Sequence, residues 1–153
     1  MTDEMEVPPL VSNDELIARV LLSPYMVDEG EVSHTAFQMR PALRGGEPED
    51  YISVIRKAFI KEITPQTVCY IRKAGNTLYG YVDLLVGECR QMSVNDVSVE
   101  DVLSYPSKKY PYHAGIHFSK AGHRLAGECR EPSFIALAKM LASHSKPVLF
   151  NNL

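Results

Sequence analysis

The chain has 153 residues, of which 45% are hydrophobic and 23% charged. That length suits one domain, and those proportions exclude the apolar-poor composition of a disordered chain. A net charge of −3 and a pI near 5.9 argue against a general nucleic-acid binder, which carries a dense basic stripe.

The net charge hides a division. Residues 1–103 hold nine Lys/Arg against 17 Asp/Glu, a balance of −8, whereas residues 104–153 hold seven against two, a balance of +5. A basic C-terminal third attracts an anionic ligand or an acidic partner. The start, MTDEMEVPPLV, is acidic and proline-bearing, unlike a secretory signal, and no apolar run approaches the roughly 20 residues that span a bilayer. A cytoplasmic protein with no membrane partner is expected. Cys69, Cys89 and Cys129 are widely spaced with no CxxC pair, so reduced, partly buried thiols are expected and no cofactor or metal is implied.

Residues 1–11 read as a flexible tail and 12–153 as a single globular domain. Ser12 and Glu15 form a capping-box pattern, and Leu16, Ile17, Val20 and Leu21 recur at helical spacing, which predicts a helix closed by Pro24. Asp28-Glu29-Gly30 is a turn signal between two short extended pieces. Ala42 to Pro48 is a loop, and its Gly45-Gly46 pair lacks either phosphate-loop pattern. Residues 50–61 fit a helix face through Tyr51, Ile52, Ile55, Ala58 and Phe59, although Ile52, Val54 and Ile55 are also strand formers.

Residues 67–73 and 77–86 read as a hairpin across Ala74-Gly75-Asn76, the second strand lying inside the sheet because both its faces are apolar. Ser98 and Asp101 suggest a second capping box and a short helix to Leu103. A loop over 105–112 leads to an alternating strand at 112–118. Pro132 opens a helix with Phe134, Leu137, Ala138 and Leu141 facing inward, Pro147 stops it, and 148–150 adds a last strand. Gly-Glu-Cys-Arg occurs at both 87–90 and 127–130, but the flanks differ and no duplication follows. The fold class is α+β: a mainly antiparallel sheet of about four or five strands with two or three packing helices.

Chemistry concentrates at residues 112–130. His113 and His117 have the spacing of a helical zinc pair, but on a strand their Cα atoms stand about 13 Å apart, too far for one ion. A strand instead puts His113, Gly115 and His117 on one face, where Gly115 would admit a ligand or another chain to the backbone. Imidazole exchanges protons near neutral pH, which makes His113 and His117 the candidate catalytic pair. Lys120, His123 and Arg124 follow in a short basic loop suited to holding a phosphate or carboxylate. The favoured reading is a small non-catalytic binding or interaction module acting with a protein partner or by self-association, with tyrosine-rich strands as its surface. The alternative is a small enzyme on an anionic, phosphate- or nucleotide-like substrate. In that reading His113 and His117 are the acid/base pair and Lys120, His123 and Arg124 the anion holders.

Overall fold

A computed structural model of the chain describes residues 7–24, 26–37, 51–72, 75–95, 97–119 and 132–150. Its centre is one seven-stranded antiparallel sheet. The strands are β1 (Leu16–Ser23), β4 (Ile52–Arg56), β5 (Thr77–Leu85), β6 (Ser93–Val94), β7 (Val97–Ser104), β8 (His113–Phe118) and β9 (Lys146–Leu149). Their spatial order is β6-β7-β8-β4-β1-β5-β9. A separate hairpin of β2 (Val27–Asp28) and β3 (Glu31–Val32) turns at Glu29 and Gly30, both at positive φ, as the turn signal requires. The described helices are α1 (Val86–Cys89) and α2 (Pro132–His144), so the strand number exceeds the four or five expected.

β1 is a strand, not the expected helix, and the reason is burial. Ile17, Leu21 and Leu22 enter the core on one face of the sheet and Ala18 and Val20 enter it on the other. A run apolar on both sides satisfies a helical template by accident. The capping-box bond does form, since the Ser12 N–H donates to the Glu15 carboxylate at 2.8 Å, but it closes a turn that leads into a strand. The same competition decides β4, where Ile52 and Val54 face one side and Ile55 the other, and the helix expected at 50–61 shrinks to a 3₁₀ turn at Lys57–Phe59.

The helix expected at 98–103 is β7, and the Asp101 carboxylate accepts from the Val102 N–H instead of capping Ser98. The described part of the strand expected at 67–73, residues 67–72, does not pair with β5. Thr64 and Thr67 lock a turn through mutual side-chain and backbone bonds, and Cys69–Ile71 form a 3₁₀ turn. β5 does lie inside the sheet, between β1 and β9. The strand expected at 112–118 forms over His113–Phe118 and the helix starts at Pro132 as expected, but the last strand is Lys146–Leu149, earlier than the expected 148–150, and holds Pro147 within it. The loop expected at 42–48 lies outside the described residues.

Two cores flank the sheet. On the first face α2 lays Phe134, Leu137, Ala138 and Leu141 over the strands, with the Phe134 ring 5.0 Å from Phe118. Each of the large side chains among them, Phe134, Leu137 and Leu141, contributes about 1.5–3 kcal/mol. On the second face residues 57–72 fold back to bury Ile63 and Val68 against Ala18, Val20 and Ile55.

Two buried arginines tie the layers together. Arg19, in mid-β1, donates to the Ala36 and Ser53 carbonyls at 2.9 Å each, joining the turn at His34–Phe37 to β4. Arg56 is fully buried and meets the Glu15 carboxylate with two bonds of 2.8 Å. It also donates to the Pro8 and Leu10 carbonyls and the Ser104 hydroxyl, so residues 8–15 wrap around its guanidinium.

Candidate functional site

β8 alternates as its sequence predicts. Ala114, Ile116 and Phe118 enter the core beneath α2, while His113, Gly115 and His117 turn to the second face. Neighbouring strands complete that face. Ser53 and Ile55 of β4 lie opposite Gly115 and His113, and Leu103 of β7 lies opposite Gly115 from the other side.

The space over Gly115 is filled by the chain itself. A Cβ on Gly115 would stand 2.3 Å from Cδ2 of Tyr51, so the glycine is there to receive that ring. The expectation that a ligand approaches the backbone here is therefore corrected. The close neighbour is Tyr51, which precedes β4 and lies between the two histidines, 6.0 Å from the His113 ring and 5.3 Å from the His117 ring.

Tyr105 organises the cluster. Its ring stacks on Tyr51 at 4.6 Å between centroids and 12° between planes, an offset-stacking geometry. Its hydroxyl shares a hydrogen bond with Nε2 of His117, and its backbone N–H donates to the His113 carbonyl at 2.8 Å. Burial pushes the His113 imidazole below its ordinary pKa, and a hydrogen bond with the Tyr105 backbone opposes that shift in part. His113 is thus mainly the neutral base at pH 7. All four residues are half-buried, and Leu103 beside them is 39% exposed.

A second tyrosine group adjoins through the 105–112 loop. Tyr70 and Tyr110 stack at 3.9 Å and 17°, and the Lys109 ammonium lies 5.7 Å over the Tyr110 ring. Burial first, then a hydrogen bond with Tyr112, raises the Tyr70 phenol well above its ordinary value. The Tyr70 hydroxyl therefore stays protonated and acts as a hydrogen-bonding group.

The structure thus brings His113 and His117 to one face, as the sequence predicts. Lys120, His123, Arg124 and Cys129 lie outside the described residues. The sequence alone does not mark Tyr51 or Tyr105 as site residues, since Tyr51 fits a helix face and Tyr105 falls at the start of a loop. The available signal was Gly115 itself, since a glycine in mid-strand marks a close approach whose partner must be supplied by a neighbouring strand.

Elsewhere, a cleft of about 620 Å³ opens between the β2–β3 hairpin and the end of α2, lined among others by Asp28, Glu31, His34, Lys139 and Ser143. Burial and then the Lys139 charge hold the His34 imidazole below its ordinary value. The cleft mixes both signs of charge and selects no ligand class. Among the described residues no group of His, Cys, Asp and Glu is arranged to hold a metal ion, and no helix is long and apolar enough to cross a membrane. Comparison with protein-family models, curated proteins and solved structures yields no match.

Proposed function

We propose that this chain is a non-catalytic binding domain that engages a protein partner through the face formed by Tyr51, Tyr105, His113 and His117. The observation that carries the reading is the Tyr51–Tyr105 stack. Two half-buried aromatic rings are locked by each other and by His117, beside the exposed Leu103. Rigid aromatic anchors lose little entropy on association and are enriched at the centres of protein interfaces. The imidazoles and phenols add polar edges that can fix orientation.

The test is affinity capture at low and moderate salt, run beside sedimentation of the isolated protein, with Tyr105→Ala and His117→Ala in parallel. A species retained by the parent and lost with Tyr105→Ala supports the proposal. A strictly monomeric protein that captures nothing counts against it.

A second reading is favoured by the His113 environment, because burial keeps that imidazole in its proton-accepting form at pH 7. Here the chain is a small enzyme on an anionic substrate, with His113 and His117 as acid/base groups and Lys120, His123 and Arg124 holding the anion. It predicts that a panel of nucleotides and inorganic phosphate raises the melting temperature and that His117→Ala removes the shift. A flat response across the panel removes its support.

A further inference from the structure

Among the described residues, the outer side of β7 is an incompletely covered sheet edge. β6 pairs only with Val97 and Ser98, and the Val99 N–H then donates to the Met92 carbonyl. From there to Ser104, no other described strand lies on that side of β7. Such an edge is a template for strand addition, and folds blunt it with charge, bulges or cover.

At Val102 the covering is done by side chains. The Val102 N–H donates to Oδ1 of Asp101 at 2.8 Å, and the Val102 carbonyl accepts from Nη2 of Arg90 at 3.2 Å. Arg90 closes the ring by donating from Nε to the same Oδ1 at 3.0 Å, and its Nη1 is held by the Asn13 side chain at 2.7 Å. A carboxylate and a guanidinium therefore occupy the acceptor and donor places that a paired strand would fill. In an antiparallel ladder alternate residues turn both backbone groups outward, and Val102 is such a residue. A bulge between Val99 and Asp101 aids the arrangement. The register sets Asp101 against His117, but its carboxylate is turned back onto the edge, as bulges commonly re-aim a side chain.

We propose that Arg90 and Asp101 form a clamp that keeps the β7 edge from pairing with the same edge of a second copy of this chain. The second copy is the occupant that the residues favour. An antiparallel pair centred on Val102 would set Val102 against its own counterpart, Asp101 against Leu103 and Glu100 against Ser104. No like charges stand directly opposite one another, and the exposed Leu103 would gain cover. The residues set in that pair, Glu100 to Ser104, also have the usual length of a paired strand, about five or six residues. A two-fold, self-complementary contact of this kind closes as a dimer.

The experiment is sedimentation equilibrium of the parent and Arg90→Ala over a range of concentrations, with melting curves to confirm folding. The weight-average mass of Arg90→Ala rises above the parent's with concentration. Adding Leu103→Asp sets like charges opposite Asp101 in the pair and returns the mass to the parent's. If Arg90→Ala does not fold, Arg90→Lys keeps a positive charge without the planar fork and is read the same way. Amide hydrogen exchange supplies a local readout at dilutions where all variants have the parent's mass. The Val102 amide is protected in the parent and exchanges about tenfold faster in Asp101→Ala, as expected for a lost hydrogen bond of about 1.4 kcal/mol. A folded Arg90 variant with the parent's mass at every concentration overturns the proposal. So does association that Leu103→Asp leaves unchanged, and so does a Val102 amide unprotected in the parent.

Discussion

Replacing Glu15 by Gln should be among the most damaging single-atom changes in this protein. Glu15 meets Arg56 with both carboxylate oxygens, and the Arg56 side chain is 0% exposed against 12% for Glu15. Removing one partner of a buried ion pair leaves the other charge uncompensated in a poorly hydrated site, at a cost of about 3–5 kcal/mol. Glutamine keeps one carbonyl acceptor, so the lower end, about 3 kcal/mol, is expected. For a domain of this size that corresponds to a fall in Tm of roughly 6–12 °C.

The pH dependence gives the sign independently. Burial alone would raise the Glu15 pKa, but hydrogen bonds from Arg56 and the Ser12 N–H, with the Arg56 charge, outweigh it and leave the value lowered. A carboxylate with a depressed folded-state pKa stabilises the fold above its unfolded value, near 4.5, and loses that contribution as pH falls through the folded value. Parent and Glu15→Gln should therefore differ most at neutral pH, and the gap should narrow progressively as pH falls below about 4.5. Urea denaturation at pH 7 and pH 3.5 measures both. A loss under about 1 kcal/mol at pH 7, or a gap that does not narrow in acid, would refute the argument.

Three further outcomes follow from close contacts and burial. Gly115→Ala drives a methyl into the Tyr51 ring, so it should unstack Tyr51 from Tyr105 and cost roughly 1–3 kcal/mol, read by denaturation and by the near-UV tyrosine signal. Gly80→Ala sets its Cβ 2.2 Å from the Val148 backbone oxygen; because backbone cannot swing aside, β9 must separate from β5, and hydrogen exchange at residues 146–149 should rise while β1 stays protected. Cys89 is buried and its thiol is pushed up to about 12, whereas Cys69 is exposed; a thiol reagent at pH 8 should label Cys69 within minutes and Cys89 only after unfolding, scored by peptide mapping.

The parts of the fold legible in the sequence are those where one face meets water. β8 alternates because only one side of it enters the main core, and α2 shows its inward stripe for the same reason. β1 and β4 lie between two cores, so their apolar residues carry no period, and any template with a short repeat fits them. Capping-box patterns misled for a second reason. Ser-x-x-Glu satisfies a backbone donor in any tight turn, and at Ser12 it does so before a strand, while its Glu15 is claimed by an arginine 41 positions away.

The site was legible to the extent that strand parity alone could build it. Parity put His113 and His117 on one face and ruled out a shared metal ion. It could not say what lies between them, because Tyr51 arrives from just ahead of β4 and Tyr105 from just after β7, and long-range pairing leaves no local trace. That missing neighbour changes the chemistry expected of the face. With Gly115 already covered by Tyr51, the backbone between the histidines is closed, and the face offers ring faces, ring edges and the Leu103 side chain. The two imidazoles then act through Tyr105, which bonds His117 by its hydroxyl and His113 by its backbone. Displacing the Tyr105 backbone therefore disturbs both histidines at once, whereas a change confined to its hydroxyl disturbs His117 alone. Proton-resolved titration of His113 and His117 in Tyr105→Phe separates the two links, because that variant removes the hydroxyl bond to His117 and keeps the backbone bond to His113.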